Sequence, residues 1–506
     1  MKIANPKLTL YAFHLRNNLA QGEEEPVEDA NHLWEYCRQL GKILNIPRLE
    51  SLFERLQDSQ GNVGITPSWN NSESDYLELL QPENLLSFSA ISRGSSLQLR
   101  GEVYPFQIHD TYAIDITLRY PYDHLEIEHL ADLNPQGCLG ITPSHSLLGQ
   151  TLVLFAQPEG KLNDIPAFID DCLTAIVPDS DRQNYWLAAQ GKFLGSPIFE
   201  YNNHQENPAQ PSHILIWLNY HSQTETLETA GDYYQPLINL LCCRSKILYA
   251  YSQSRWCNQQ ARKLYRQLDS KVKGLQQLPS EPTQRLKHLK AWLTELSQTA
   301  FAYANHLRDL ELQRITIETN NKNYQFWLNQ LKLISLKKED DLELWQQFIS
   351  HKSEKFIQQI ATDLSYLIPS QQLFQQMIES IRGIVETEQA ESDRSLQNTV
   401  AIVGVGLTTA AIAATVAPYA IPPEPRQPLL PPFSTHHLHP LAQSLLWSLV
   451  FGAAGAVITK GFTALIQNQG VISGHLTQLI RDSSNKMAKL SGSTQEILPQ
   501  SQKLKK

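Results

Sequence analysis

The sequence is poor in the residue patterns from which disulfide, cofactor and nucleotide sites are usually built. Its six cysteines include no Cys-x-x-Cys pair, and they are too sparse in 506 residues for a fold held by disulfides. It contains no Gly-x-x-x-x-Gly-Lys-Ser/Thr loop and no Gly-x-Gly-x-x-Gly turn after a predicted strand, so nucleotide binding by such loops has no support. We therefore predict no catalytic residue, no cofactor and no resident metal ion.

Positive charge is scarce in the first half of the chain. Residues 1–232 hold 13 Lys and Arg against 31 Asp and Glu, whereas residues 233–506 hold 29 against 20. An acidic domain repels phosphate groups, so we predict no nucleic-acid partner for it. The basic second half suits an anionic membrane surface or an acidic protein partner.

In residues 1–230, segments with the two-residue alternation of strands are mixed with helical segments, as in an α+β domain. Ile114, Ile116 and Leu118 alternate with polar residues, as in a half-buried strand. Further strands are predicted at 97–103, 152–155, 185–194 and 214–218, and helices at 27–58 and 165–177. The pattern predicts an acidic cytoplasmic α+β domain with an antiparallel or mixed sheet.

Long helices are predicted for 231–398, which we interpret as a coiled-coil region and stalk. Apolar residues within Leu286–Leu310 recur at steps of three and four, which keeps one stripe of the helix turned inward. Arg314 and Asn321 interrupt this register, so a break or turn near the second of them is one alternative. Pro369 is predicted to start a further long helix.

The first of these helices, at 232–278, is rich in Lys and Arg, including Arg244 and Lys246. We expect these cations to pair with acidic positions of the N-terminal domain or of Glu339–Glu343. Contact with anionic lipid headgroups and binding of RNA are the alternatives. The neighbouring Cys242 and Cys243 lie in an apolar stretch and are predicted to be buried thiols.

Two stretches near the C-terminus, Thr399–Ala417 and Leu441–Thr459, contain no charged residue over 19 positions each. As helices they reach roughly 29 Å, about the thickness of a bilayer core. Eight prolines in the 23 residues between them prevent one continuous helix. The pattern predicts a transmembrane hairpin at 399–466, with the lipid bilayer as partner, and a basic cytoplasmic tail at 467–506. The alternative is a pair of buried helices.

Lysines and arginines flank this predicted hairpin, whereas the loop inside it contains only Arg426. The positive-inside rule then predicts a multi-pass protein of the inner (plasma) membrane with both termini in the cytoplasm.

Small residues recur every fourth position in both predicted spans, a spacing that lets helices approach closely in lipid. We expect them to pack the two spans together or to support a homo-oligomer; they are Gly406, Ala410, Ala414, Ser448, Gly452 and Ala456. Hydroxyl side chains in the first span are candidates to line a pore, namely Thr399, Thr408 and Thr409.

The order of these regions resembles the CorA-type divalent-cation transporters. An α+β domain and long paired helices come first, and a stalk helix then enters the first span, followed by a short outer loop, a second span and a basic tail. The resemblance covers the topology of the whole chain, and members of that family are pentamers. That family carries Gly-Met-Asn at the outer end of the first span, whereas Thr415–Ile421 contains no methionine here. Neither a filter residue nor magnesium selectivity is therefore carried over.

Three further groups of residues have the right chemistry without a recognisable motif. The cluster at His436, His437 and His439 could bind zinc, copper or nickel, although a polar loop is the favoured interpretation. Asp170-Asp171-Cys172 and His109-Asp110 are residue types found in hydrolases, but neighbours of this kind arise by chance among 51 acids and 16 histidines.

From the sequence we expect a membrane-anchored, oligomeric coiled-coil protein that is not an enzyme. It would conduct ions or perturb the membrane under control of its cytoplasmic domain. One alternative is a membrane tether or scaffold whose α+β domain binds a cytoplasmic protein or a ligand. The other is an enzyme in the N-terminal domain.

Overall fold

The structure is a computed structural model. It describes residues 1–17, 26–57, 76–80, 82–92, 96–160, 164–203, 209–274, 278–336 and 339–390. The chain divides into two compact units, Met1–Gln277 with Ala302–Phe374 and Leu278–Phe301 with Gln375–Lys506. The sheet and the buried polar networks belong to the first unit.

A ten-stranded sheet forms the centre of the first unit. Its strands are β1 (Lys2–Leu15), β2 (Tyr76–Glu78), β3 (Leu86–Ile91), β4 (Gln98–Ile108), β5 (Thr111–Arg119), β6 (Leu125–Glu126), β7 (Leu147–Pro158), β8 (Trp186–Phe193), β9 (Ser196–Asn202) and β10 (His213–Leu218). The order is β2-β4-β5-β1-β7-β10-β9-β8, with β3 also on β4 and β6 also on β1. Only β7 and β10 run parallel; the other pairs are antiparallel. The predicted mixed sheet is confirmed.

Short helices flank the strands, and long helices follow them. The α-helices of the described residues are α1 (His32–Leu44), α2 (Pro47–Glu50), α3 (Ile165–Ile176), α4 (Asp179–Arg182), α5 (Thr224–Ala230), α6 (Tyr234–Gly274), α7 (Pro282–Ile334), α8 (Glu343–Gln347) and α9 (Glu354–Ala390). The predicted helix at 165–177 and the long helices after residue 230 are confirmed.

One face of the sheet packs on an apolar core. Because strand side chains alternate between the two faces, the even-numbered residues of the central strands point the same way. Leu10, Ile116 and Leu154 are at most 1% exposed, and Trp34 of α1 and Phe168 of α3 join them in one cluster. Removing this much apolar surface from water is the main stabilising contribution to the unit.

The opposite face of the sheet is polar and aromatic, and α6 covers it. Near the start of α6, the Tyr234 hydroxyl donates to Asp115 of β5 at 2.9 Å. Nearly three turns later, Arg244 pairs with Glu200 of β9 at 3.1 Å. A helix that lies on this face must therefore supply hydrogen-bond partners as well as apolar contact.

The segment after α7 is fastened to the tip of the β8–β9 hairpin. The tip residues Leu194 and Gly195 both have positive φ, as a tight two-residue hairpin turn requires. The Asp340 carboxylate accepts the backbone N–H groups of these two residues at 2.9 and 2.5 Å. Asp341 adds an isolated antiparallel bridge to Lys192 of β8. These contacts connect the long helices to one edge of the sheet.

The prediction of a transmembrane hairpin is not supported and is corrected here. None of the described helices is both long enough and apolar enough to cross a membrane. The predicted spans, 399–417 and 441–459, lie outside the described residues, as do the tail at 467–506 and the histidine cluster at 436–439. The fold is an α+β sheet domain with long helices and no supported hairpin. The predicted multi-pass inner-membrane location depended on this hairpin, and so did the two membrane-based functions, channel-like and tether. These predictions are therefore withdrawn as well.

Several helix and strand predictions are also corrected. The predicted helix at 27–58 is divided into α1, α2 and a short 3-10 turn, because Asn45 adopts a left-handed conformation and Pro47 follows it. No break occurs near Asn321, since α7 continues to Ile334. Pro369 lies inside α9 instead of starting a helix. No strand was predicted at β1, which lies between β5 and β7.

We predict that truncating Ile116, a buried residue of β5, lowers stability by about 2–5 kcal/mol, because Ile116→Ala leaves a cavity in a packed core. Urea unfolding followed by circular dichroism measures the change. Ile91→Ala is the matched control, since Ile91 is 70% exposed and should shift the midpoint little. Equal shifts for the two variants would contradict this core assignment.

Candidate functional site

The first of two buried polar networks beneath α6 is centred on Glu200. Its carboxylate oxygen Oε1 accepts hydrogen bonds from Arg244 Nη2 at 3.1 Å and from Asn202 Nδ2 at 3.1 Å, and it lies 3.2 Å from His213 Nε2. On the other side of the imidazole, His213 Nδ1 lies 2.8 Å from the hydroxyl of Thr151. β7, β9, β10 and α6 each contribute a side chain to this network.

Burial and charge determine the protonation states in this Glu200 network. Burial works to raise the pKa of Glu200, but the hydrogen bond from His213 and the charge of Arg244 outweigh it and hold the pKa well below its ordinary value. Burial and the Arg244 charge lower the pKa of His213 to about 4. Glu200 is therefore ionised and His213 neutral at pH 7. In that state His213 Nε2–H donates to Glu200 and Nδ1 accepts the Thr151 hydroxyl.

A hydroxyl, an imidazole and a carboxylate in series are the residue types of a proton relay. Here Thr151, Glu200 and Arg244 are 2%, 7% and 6% exposed, so a substrate could not reach them without displacing α6. The nearby Tyr324 hydroxyl of α7 is also buried, with no hydrogen-bond partner among the described residues. We interpret the Glu200 network as the attachment of α6 to the sheet.

The second network surrounds Asp115 with tyrosines. Tyr234 and Thr117 donate to the two Asp115 carboxylate oxygens at 2.9 and 3.0 Å. Beside it, the Tyr76 hydroxyl donates to Tyr104, and Tyr104 donates to Glu78, both at 2.8 Å. Burial raises the pKa of Asp115 to about 7 against these two hydrogen bonds. Asp115 is thus a carboxyl group without a cationic partner in the network that surrounds it.

A further, partly buried pair confirms the expected pairing for two of the basic residues of α6, whereas Arg255 and Arg262 pair instead with Asp363 of α9. Lys246 Nζ lies 2.5 Å from Asp110 Oδ1, so both Arg244 and Lys246 neutralise acids of the N-terminal sheet. Cys242 and Cys243 are buried beside them, as predicted. Burial raises the pKa of Cys242 to about 11, which leaves it an unreactive thiol at pH 7.

The remaining hydrolase-like residues are not brought together into a site. Asp110 forms an ion pair with Lys246. Cys172 lies on α3 and is buried in the apolar core, whereas its neighbour Asp171 is exposed. A cavity of about 110 Å³ within the sheet domain is lined in part by Asn134 and Gln150. The amides of both residues are already bonded to backbone groups, so they maintain the fold.

The span-packing candidates Gly406, Ala410, Ala414, Ser448, Gly452 and Ala456 lie outside the described residues, and so do the pore-lining candidates Thr399, Thr408 and Thr409. The structure therefore describes no contact for any of them.

The surface of α7 carries an unexpected second stripe, which we call the α7 outer stripe. It consists of exposed residues at steps of four and three, Arg308, Leu312, Ile315, Thr319, Lys322, Phe326, Asn329 and Leu333. Four of these are large apolar side chains that are 38–71% exposed. The spacing is that of the inward positions of a coiled coil.

The inner stripe of α7 explains why this second stripe was missed. Apolar residues such as Leu307, Leu310 and Leu328 are buried within the first unit, as the predicted register requires. Arg314, which interrupts that register, is neutralised within the helix by Glu311 and Glu318. The outer stripe could have been found by testing whether the same helix carries a second register, two residues out of phase.

We predict that Arg244→Met destabilises the protein by about 3–5 kcal/mol, because it leaves the Glu200 carboxylate buried without its cation. Urea unfolding midpoints measure the loss. The double variant Glu200→Leu with Arg244→Met should recover most of it, since it removes both charges. Arg38→Met, which breaks an exposed pair with Glu35, is the control and should change the midpoint little. A loss of the same size in the control would contradict a special role for the buried pair.

We predict that the stability of Asp115→Asn relative to the unaltered protein increases from about pH 4 to about pH 7 and is constant above that. The pKa of Asp115 is about 7 in the folded protein, above its ordinary value of 3.8, so across this interval the carboxyl ionises in the unfolded chain and favours unfolding. Asparagine cannot ionise and avoids that penalty. The difference in unfolding free energy between the two proteins should rise by a few kcal/mol across this range. A difference that is independent of pH would contradict the raised pKa.

Comparisons of the chain with protein families, with curated proteins and with solved structures find no match. The resemblance to CorA-type transporters therefore has no support from them, and the α7 outer stripe is the feature from which a function can be argued.

Proposed function

We propose that this protein is a self-associating interaction scaffold in which two copies pair through the α7 outer stripe. Exposed apolar residues at coiled-coil spacing, Leu312, Ile315, Phe326 and Leu333, are the observation that carries the proposal. Single exposed apolar residues are common on protein surfaces, but a row of them at this spacing is typical of a helix that has a partner. From Arg308 to Leu333 the row extends roughly 38 Å along the helix.

A second copy of the chain is the occupant that fits the residues of the row, and its orientation follows from charge. In a parallel pair, Arg308 and Lys322 would each face their own copies, and like charges at such positions are destabilising. In an antiparallel pair centred between Thr319 and Lys322, Ile315 faces Phe326 of the second copy. The antiparallel pair therefore sets Ile315 against Phe326 of the second copy, and no cation faces its own copy: Arg308 faces Leu333 and Lys322 faces Thr319.

The antiparallel arrangement is also closed. Two identical surfaces related by a twofold axis satisfy each other completely, so the assembly stops at a dimer. The scaffold then carries two sheet domains, one from each copy. This assembly replaces the membrane-based oligomer expected from the sequence.

We predict that Ile315→Lys alone and Phe326→Glu alone each convert the dimer to a monomer, because each buries an unpaired charge in the row. The double variant should dimerise again, since antiparallel pairing places the introduced lysine of one copy beside the introduced glutamate of the other. Sedimentation velocity of the purified full chain measures the change, with circular dichroism to check folding.

Tyr366→Lys is the matched control, because Tyr366 is 70% exposed on α9 and lies outside the row. It should leave the dimer intact. A monomeric unaltered protein, or a dimer that survives both single substitutions, would overturn the proposed function. A double variant that stays monomeric would overturn the antiparallel orientation.

A further inference from the structure

Three side chains with metal-ligating atoms meet between α6 and α7. They are Cys257 on α6 and His306 and Asp309 on α7, and their Sγ, imidazole nitrogen and carboxylate oxygen all lie within 4.8 Å of one another. His306 and Asp309 are three residues apart, so they share one face of α7. All three belong to the same compact unit.

An independent observation at His306 points to a ligand. Its Nδ1 atom is buried and has no hydrogen-bond partner among the described residues. A buried ring nitrogen without a partner costs free energy, and a metal ion supplies the missing interaction. The ring is further held by Trp256, whose indole packs edge-on at a centroid distance of 5.4 Å.

From this geometry we propose that Cys257, His306 and Asp309 bind a zinc ion that joins α6 to α7. Thiolate, imidazole and carboxylate together are zinc ligands, whereas magnesium and calcium prefer oxygen atoms alone. In tetrahedral zinc sites the bonds are about 2.0–2.3 Å, so ligand atoms lie roughly 3.3–3.8 Å apart. Small side-chain rotations would close the present separations to that range. Three protein ligands leave the fourth position to water.

Neighbouring groups position the ligands of the proposed site. Arg308 holds Asp309 Oδ1 through two nitrogens, at 2.9 and 3.1 Å, which fixes the carboxylate close to its two companions. The Cys257 thiol would release its proton to the solvent as the zinc–sulfur bond forms.

The test uses cobalt(II) as a spectroscopic substitute for zinc in the full chain. The histidines at 436, 437 and 439 are first replaced by alanine, because that cluster could bind metal itself. A bound cobalt ion with a cysteine ligand gives sulfur-to-metal charge-transfer absorption, and residues 399–506 contain no cysteine. We expect one equivalent of cobalt with this absorption, its displacement by zinc, and a higher melting temperature with zinc.

Three variants decide the ligand set. Cys257→Ser should abolish the charge-transfer absorption, and Asp309→Asn should weaken binding by at least about tenfold. Cys138→Ser is the control, because Cys138 is a partly buried free thiol outside the cluster, and it should keep both. Absence of stoichiometric metal in the parent protein, or an unchanged absorption in Cys257→Ser, would overturn the site. Melting without metal shows whether a variant is folded, and Asp309→Asn still tests the site if Cys257→Ser does not fold.

Discussion

The packing of α6 on the polar face of the sheet is the constraint on which the rest of the first unit depends. Three acids on this side of the sheet are buried or partly buried, and α6 supplies a partner to each. Arg244 and Lys246 satisfy Glu200 and Asp110, while Tyr234 satisfies Asp115 without a charge. The buried pairs fix where the helix lies along the strands, because a shift would leave a charge without its partner.

The next feature is the division of α7 into a buried side and an exposed side. Within the first unit the inner stripe of α7 is buried, and Cys257 of α6 lies beside His306 and Asp309 of α7. The other side therefore faces away and keeps its apolar residues exposed. The proposed metal site and the proposed dimer face lie on different sides of α7 and share one residue, Arg308, which belongs to the outer stripe and donates to Asp309.

Sequence patterns predicted the parts of the fold whose periodicity is local. The alternation at 114–118 identified β5, and the 3-4 spacing identified the inner stripe of α7. β1 was not predicted because Asn5 and Pro6 interrupt the alternation of apolar and polar residues. In the structure most of this strand is buried, and it lies between β5 and β7. The hairpin at 399–466 was predicted from hydrophobic length alone, a criterion that registers apolar content without reporting how a segment packs. No described helix supports it.

The sequence by itself determined that an acidic, mixed α+β region precedes long helices, because charge and residue period are properties of neighbours along the chain. Only the tertiary structure decided which distant residues meet. Glu200, His213 and Thr151 become one network because β7, β9 and β10 are adjacent in the sheet. Cys257 reaches His306 and Asp309 only because two helices pack side by side. Such contacts depend on strand order and helix packing, which local patterns do not encode.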